Sequence, residues 1–79
     1  VKWELRLGRE AIAALYRIER GVARNVGAAL DALAADPMLT NLQVDAEDPS
    51  LYWLAVEGDI TVWVEIVDER HAIRIVKIG

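Results

Sequence analysis

Seventy-nine residues, 54% of them hydrophobic, suffice for one domain with a thin core and are too few for two. The absence of cysteine excludes disulfides and thiolate metal sites, and no apolar run approaches the roughly 18 residues needed to span a bilayer. The net charge of −4 is unevenly placed: ten carboxylates and no cation lie between Asn25 and Glu69, while the rest of the chain carries nine bases against three acids. Because nucleic-acid affinity rests on neutralising phosphates with Lys and Arg, more than half the chain opposes it, and such a field favours a basic protein partner.

Residues Lys2–Leu7 alternate, with Trp3, Leu5 and Leu7 on one side and Lys2, Glu4 and Arg6 on the other. That period predicts a half-buried strand, and the same charges rule out a signal peptide, so the expected location is cytoplasmic. The chain opens at Val1 without an initiator methionine, as an incomplete or processed form of a longer protein would. Gly8 breaks the alternation and suits the cap of a helix beginning near Arg9.

From Ala11 the apolar spacing becomes helical, through Ala11, Leu15 and Ile18 with Ile12 and Tyr16 beside them. Gly21 is the expected helix end, with Arg17 and Arg20 at the negative end of the dipole. A second stripe, Val22, Val26, Leu30 and Leu33, stops at Asp36 because Pro37 disfavours helical geometry in the residue before it. So short a joint predicts an antiparallel helical hairpin, and Gly27 inside the second helix suggests close packing there.

Residues Pro37–Ser50 have no sustained period and read as a loop. Three strand-like runs follow: Leu51–Glu57, Ile60–Val67 after the Gly58-Asp59 turn, and Ala72–Ile78 after the Asp68–His71 turn. The expected fold class is therefore α+β, a single domain over residues 1–79: strand, two-helix hairpin, then a three-stranded antiparallel meander (β-α-α-β-β-β). Ile60, Val62, Val64 and Ile66 form a wholly apolar side of the middle strand, which places both helices on one face of the sheet.

The other face is expected to carry Trp53, Ala55 and Glu57 beside Thr61, Trp63 and Glu65. Trp53 and Trp63 are candidate partner-binding residues, since tryptophan is enriched at interface hot spots; the alternative is a small second core beneath the acidic loop. The neighbouring carboxylates argue against base stacking. Arg6, Arg74 and Lys77, bases on predicted strands, complete the candidate binding set. Candidate catalytic groups are Glu47 and Glu65 as bases, joined by Asp48 in the same loop, and Arg74 as a charge stabiliser; a carboxylate without cations nearby has little to assist it. His71, the sole histidine, falls in a predicted turn and reads as a surface residue. No nucleotide, zinc or catalytic-triad motif is present, so no cofactor or metal is expected.

In order and spacing these segments resemble the RelE/ParE superfamily of toxins from type II toxin–antitoxin systems. The likeness covers nearly the whole chain: the Lys2–Leu7 strand, the helical stretch ending in Asp36-Pro37, and the closing run from Leu51. Within that run it rests on Tyr52 opening a strand, the turn glycine Gly58, Glu65-Ile66, and Ile73-Arg74-Ile75 leading to Gly79. The resemblance implies a toxin subunit neutralised by an antitoxin protein and associated with plasmid stabilisation. RelE-type members are ribosome-dependent mRNA endonucleases (mRNA interferases), and ParE-type members poison gyrase.

Carried over position by position, the basic residues of the RelE-type active face are absent here. The loop lysines fall among Leu42–Asp48, the second-strand pair on Trp53 and Ala55, and the third-strand tyrosine and arginine on Ile60 and Thr61. The last arginine and tyrosine would lie past Gly79. RNA cleavage by the 2′-hydroxyl requires a base, an acid and cations for the phosphorane charge. The expectation is thus a toxin-like subunit deficient in cleavage that acts by protein–protein binding. Its alternatives are an active endonuclease, a gyrase inhibitor, or a non-catalytic module that forms homodimers through the Trp53/Trp63 face or a sheet edge.

Overall fold

In a computed structural model that describes residues 2–79, the alternating N-terminal segment forms strand β1 (Glu4–Leu7), and Gly8 in extended geometry caps helix α1 (Arg9–Arg17). Helix α2 (Arg20–Ala35) follows, then a 3-10 turn at Pro37–Leu39 and the strands β2 (Gln43–Val44), β3 (Tyr52–Val56), β4 (Ile60–Val67) and β5 (Ala72–Ile78), with a second 3-10 turn at Asp68–Arg70 between the last two. The sheet order is β1-β5-β4-β3-β2. The meander β3-β4-β5 is antiparallel as the turns predict, whereas β1 runs parallel to β5, so the sheet is mixed.

One face of the sheet carries the core. Leu54, Val56, Val62, Val64, Ile73, Ile75 and Ile78 meet Ala11 from α1 and Val26, Leu30 and Leu33 from α2, all buried. Helix α1 lies on β5, and α2 reaches β1, β3 and β4. Each such aliphatic side chain contributes about 1.5–3 kcal/mol on full burial, which is how so short a chain sustains a core without cross-links.

Three details depart from the sequence expectations. The helix break falls at Ile18–Glu19, not at Gly21. Ile18 is extended, and the Glu19 side chain accepts the Gly21 N–H at 2.9 Å, so a new N-cap starts α2 and Gly21 sits in its first turn. The segment expected to be pure loop contains β2, whose Gln43 and Val44 pair with Trp53 and Tyr52. A further departure concerns Gly27: nothing lies within 4 Å of the position its Cβ would take. Close packing is therefore not its reason for being glycine, and Gly27→Ala is expected to stabilise the fold by about 0.5–1 kcal/mol. A higher urea midpoint at unchanged slope would register that gain.

Strand β5 contains a bulge. Trp63 pairs with Lys77 but its neighbour Val64 pairs with Ile75, leaving Val76 as the extra residue. Strict alternation from the buried Ile75 would turn Lys77 toward the core. The bulge instead sends Lys77 to the open face and buries Ile78.

Candidate functional site

The face of the sheet opposite the helices is built by register. Trp53 pairs with Trp63 and Ala55 with Thr61, while the intervening pair Leu54–Val62 points into the core. Residues directly opposite in an antiparallel ladder project to the same side, so the two tryptophans stand together on the open face, as expected. Both are half-buried. The acidic loop descends beside them: Asp45, Glu47 and Leu51 share a cleft of about 450 Å³ with Trp63, Val76 and Lys77. The tryptophans are therefore neither sealed in a second core nor fully open.

The ammonium group of Lys77 sits 5.0 Å from the Trp63 ring centroid, a cation–π contact worth about 0.5–1 kcal/mol at an exposed site. The same bulge that turns Lys77 outward makes this contact available.

Farther along the same face, Glu65 lies opposite Arg74, and Arg74 lies beside Arg6 through the parallel β1–β5 pairing. The Arg6 Nε is 3.2 Å from a Glu4 carboxylate oxygen. Arg6, Arg70 and Arg74 border one cleft of about 220 Å³ with Glu65, floored by Val67 and Ala72. Among the described residues, neither Arg70 nor Arg74 forms an ion pair within 4.0 Å.

The structure thus brings the candidates Arg6, Glu65 and Arg74 together at one end of the face. Trp53, Trp63, Lys77 and Glu47 gather at the other. Arg70, in the 3-10 turn Asp68–Arg70, is the member that sequence reasoning missed. The following residue, His71, adopts the left-handed conformation with φ 51°, which turns the chain directly into β5. Its ring stacks on Trp3 with centroids 4.0 Å apart, so this surface histidine has a specific packing role.

In the acidic loop the Ser50 hydroxyl and backbone N–H donate to the same Asp48 oxygen at 2.6 and 3.0 Å. Those two bonds, the hydroxyl first, hold the Asp48 pKa below its ordinary value of 3.8. The sign follows from linkage: their contribution to stability is present above the unfolded value and is lost as pH falls through the lower folded value. Ser50→Ala is expected to return the Asp48 titration toward the ordinary value, as followed by the carboxyl carbon shift in NMR.

Trp3, Met38, Pro49, Tyr52 and Ile66 line a cleft of about 620 Å³ at the end of the sheet near Asp68 and Glu69. No helix among the described residues is long and apolar enough to cross a membrane.

No protein-family model and no curated protein matches this chain. Solved structures do. A chain of the intact Escherichia coli RelBE toxin–antitoxin complex superposes with a TM-score of 0.84 at 13% identity, covering 98% of this chain and 94% of that one. The toxin–antitoxin complex RelBE2 of Mycobacterium tuberculosis gives a TM-score of 0.84 at 18% identity, over 100% of this chain and 91% of its counterpart. The isolated E. coli RelE toxin gives 0.82 at 13% identity, over 98% and 82%. Little sequence is shared, yet the backbones superpose over nearly the whole of this chain, and on that agreement this chain has the RelE-type toxin fold.

Proposed function

We propose that this chain is the toxin-type subunit of a toxin–antitoxin pair, that it acts by binding protein, and that it is deficient in RNA cleavage. The observation that carries this reading is the makeup of the open face. At its centre stand Trp53, Ala55, Thr61 and Trp63, with Asp45 and Glu47 alongside. The RelE-type resemblance puts cations at the first three of these positions. An RNA strand laid there would meet indole, methyl and carboxylate groups, and the cation beside them, Lys77, is already engaged with the Trp63 ring, which leaves little to stabilise a phosphorane. A protein segment would find two half-buried aromatic anchors, the residue type that dominates interface energetics. The intended partner is an antitoxin protein, bound over this face and its rim of Arg6, Arg74 and Lys77.

Co-expression of the chain with the product of the adjacent gene tests the pairing: the two should co-purify as a stable complex. Failure to co-purify counts against the reading. Cleavage is tested separately by expressing the chain alone and mapping messages on ribosomes, where transcripts should stay intact. Newly cut messages would restore the endonuclease, and loss of supercoiling on adding the chain to gyrase would point to the ParE-type alternative.

A further inference from the structure

We infer that the cleft between Arg6, Arg70 and Arg74 is a receptor for one carboxylate, carried on an otherwise apolar segment of the partner protein. This rests on the reading of the chain as a protein-binding subunit and adds the chemistry of what it binds.

The three arginines come from distant parts of the sequence and are assembled by the fold. Parallel pairing of β1 with β5 sets Arg6 directly beside Arg74, and the left-handed His71 closes the turn that brings Arg70 to the same rim. Like charges side by side on a sheet are unfavourable. Two carboxylates offset them: Glu4, in contact with Arg6, and Glu65, opposite Arg74. Within the cleft's own lining three guanidiniums meet one carboxylate, Glu65, and with Arg6 also engaged by Glu4 the lining keeps one positive charge in excess, the complement of a single carboxylate. Arginine also suits this ligand in shape, because its planar fork donates two parallel hydrogen bonds to a carboxylate. The floor beneath is apolar, with Val67 half-buried and Ala72 only 2% exposed, so a methylene stem can follow the charge inward.

The surroundings decide between a peptide and a nucleic acid. A polynucleotide carries a charge at every residue and needs a cationic track to follow. Here the track is interrupted on both sides. Toward the β4–β5 turn lie Asp68 and Glu69, and in the other direction lie Trp63 and the acids Asp45 and Glu47, where the cation Lys77 is engaged with the Trp63 ring. A peptide with one acidic residue among apolar neighbours meets no such opposition. Its acid enters the cleft and its apolar residues continue over Val76 and Trp63.

The test uses the full chain labelled with 15N and observes the arginine Nε–H signals at about 150 mM salt. The probes are acetyl-Leu-Ala-Glu-Leu-Leu-amide, its Gln counterpart and deca-uridylate. The Glu peptide should shift the signals of Arg6, Arg70 and Arg74 and bind about tenfold or more tightly than the Gln peptide. That preference should vanish in Arg70→Gln/Arg74→Gln, two exposed sites where folding is easily verified. Equal response to both peptides, or a stronger response to deca-uridylate, would overturn the carboxylate receptor. In the complex with the adjacent gene product, the same double substitution should weaken binding about tenfold or more and flatten its salt dependence. A complex of unchanged affinity rejects the receptor and leaves the pairing intact. The Glu-peptide preference without any complex rejects the pairing and leaves the receptor standing.

Discussion

Replacing Gly58 by alanine is expected to destabilise the chain by about 2–4 kcal/mol, through two independent effects. Gly58 has φ 105°, a backbone conformation that a Cβ strains. The added atom would also sit 2.8 Å from Cγ2 and 3.1 Å from Cγ1 of Val22, at the start of α2. The β3–β4 hairpin is tethered to the helix at this point by the Asn25 side-chain amide, which donates to the Glu57 carbonyl at 3.3 Å, so lifting the turn away would cost that bond. A domain of this size has a total stability of only about 4–12 kcal/mol, so the loss would be plain in urea unfolding. Repeating the substitution in a Val22→Ala background separates the causes. Removing both Cγ atoms should recover about 1 kcal/mol or more of the loss as a coupling energy, leaving the backbone strain. The same loss in both backgrounds would show that Val22 does not constrain the turn.

That turn also explains why part of the site is legible in the sequence. The Gly58-Asp59 pair announces the hairpin, but the loop that forms is three residues long and takes in Glu57, with Val56 opposite Ile60; that register sets Trp53 opposite Trp63, where a two-residue turn would set it opposite Val64. The uninterrupted alternation through Ile60–Val67 gives β4 its observed ends. Strand β2 is illegible for the opposite reason. It is two exposed residues long, and what makes it a strand is the backbone ladder of β3, which leaves no pattern of side chains in Gln43 and Val44. The bulge at Val76 leaves no trace that local reading could use: Ile75 and Ile78 are buried three residues apart, but so are Ala72 and Ile75 in the regular part of the same strand. Gly21 misleads as a helix end because Glu19, a residue type less favoured at caps, supplies the cap instead. The arginine cleft lies beyond local reading: Arg6 meets Arg70 and Arg74 only through the parallel β1–β5 pairing, which no neighbouring residues encode.

The charge deficit of the open face is most directly examined by removing it. Trp53→Lys, Ala55→Lys and Thr61→Arg together place three cations on adjacent positions of one face, two of them directly opposite each other. Each new phosphate contact to a single strand adds about 0.7 to the slope of log affinity against log salt, so the triple variant should gain a slope of about 2. Its affinity for a deca-uridylate should accordingly fall roughly 15-fold between about 50 and 200 mM salt, whereas the parent should show no measurable binding at the upper value. Ala55 is exposed, but Trp53 and Thr61 are half-buried, so thermal unfolding of the variant must be followed alongside. Binding should appear without cutting. Three cations hold a strand, but cleavage also needs a base and an acid within hydrogen-bond reach of the reacting oxygens, and the nearby Glu47 has only Lys77 beside it, itself engaged with Trp63. A parent chain that already binds the oligonucleotide as tightly as the variant at 200 mM salt would mean that indoles alone hold the strand, and that the missing cations are not what keeps RNA from this fold.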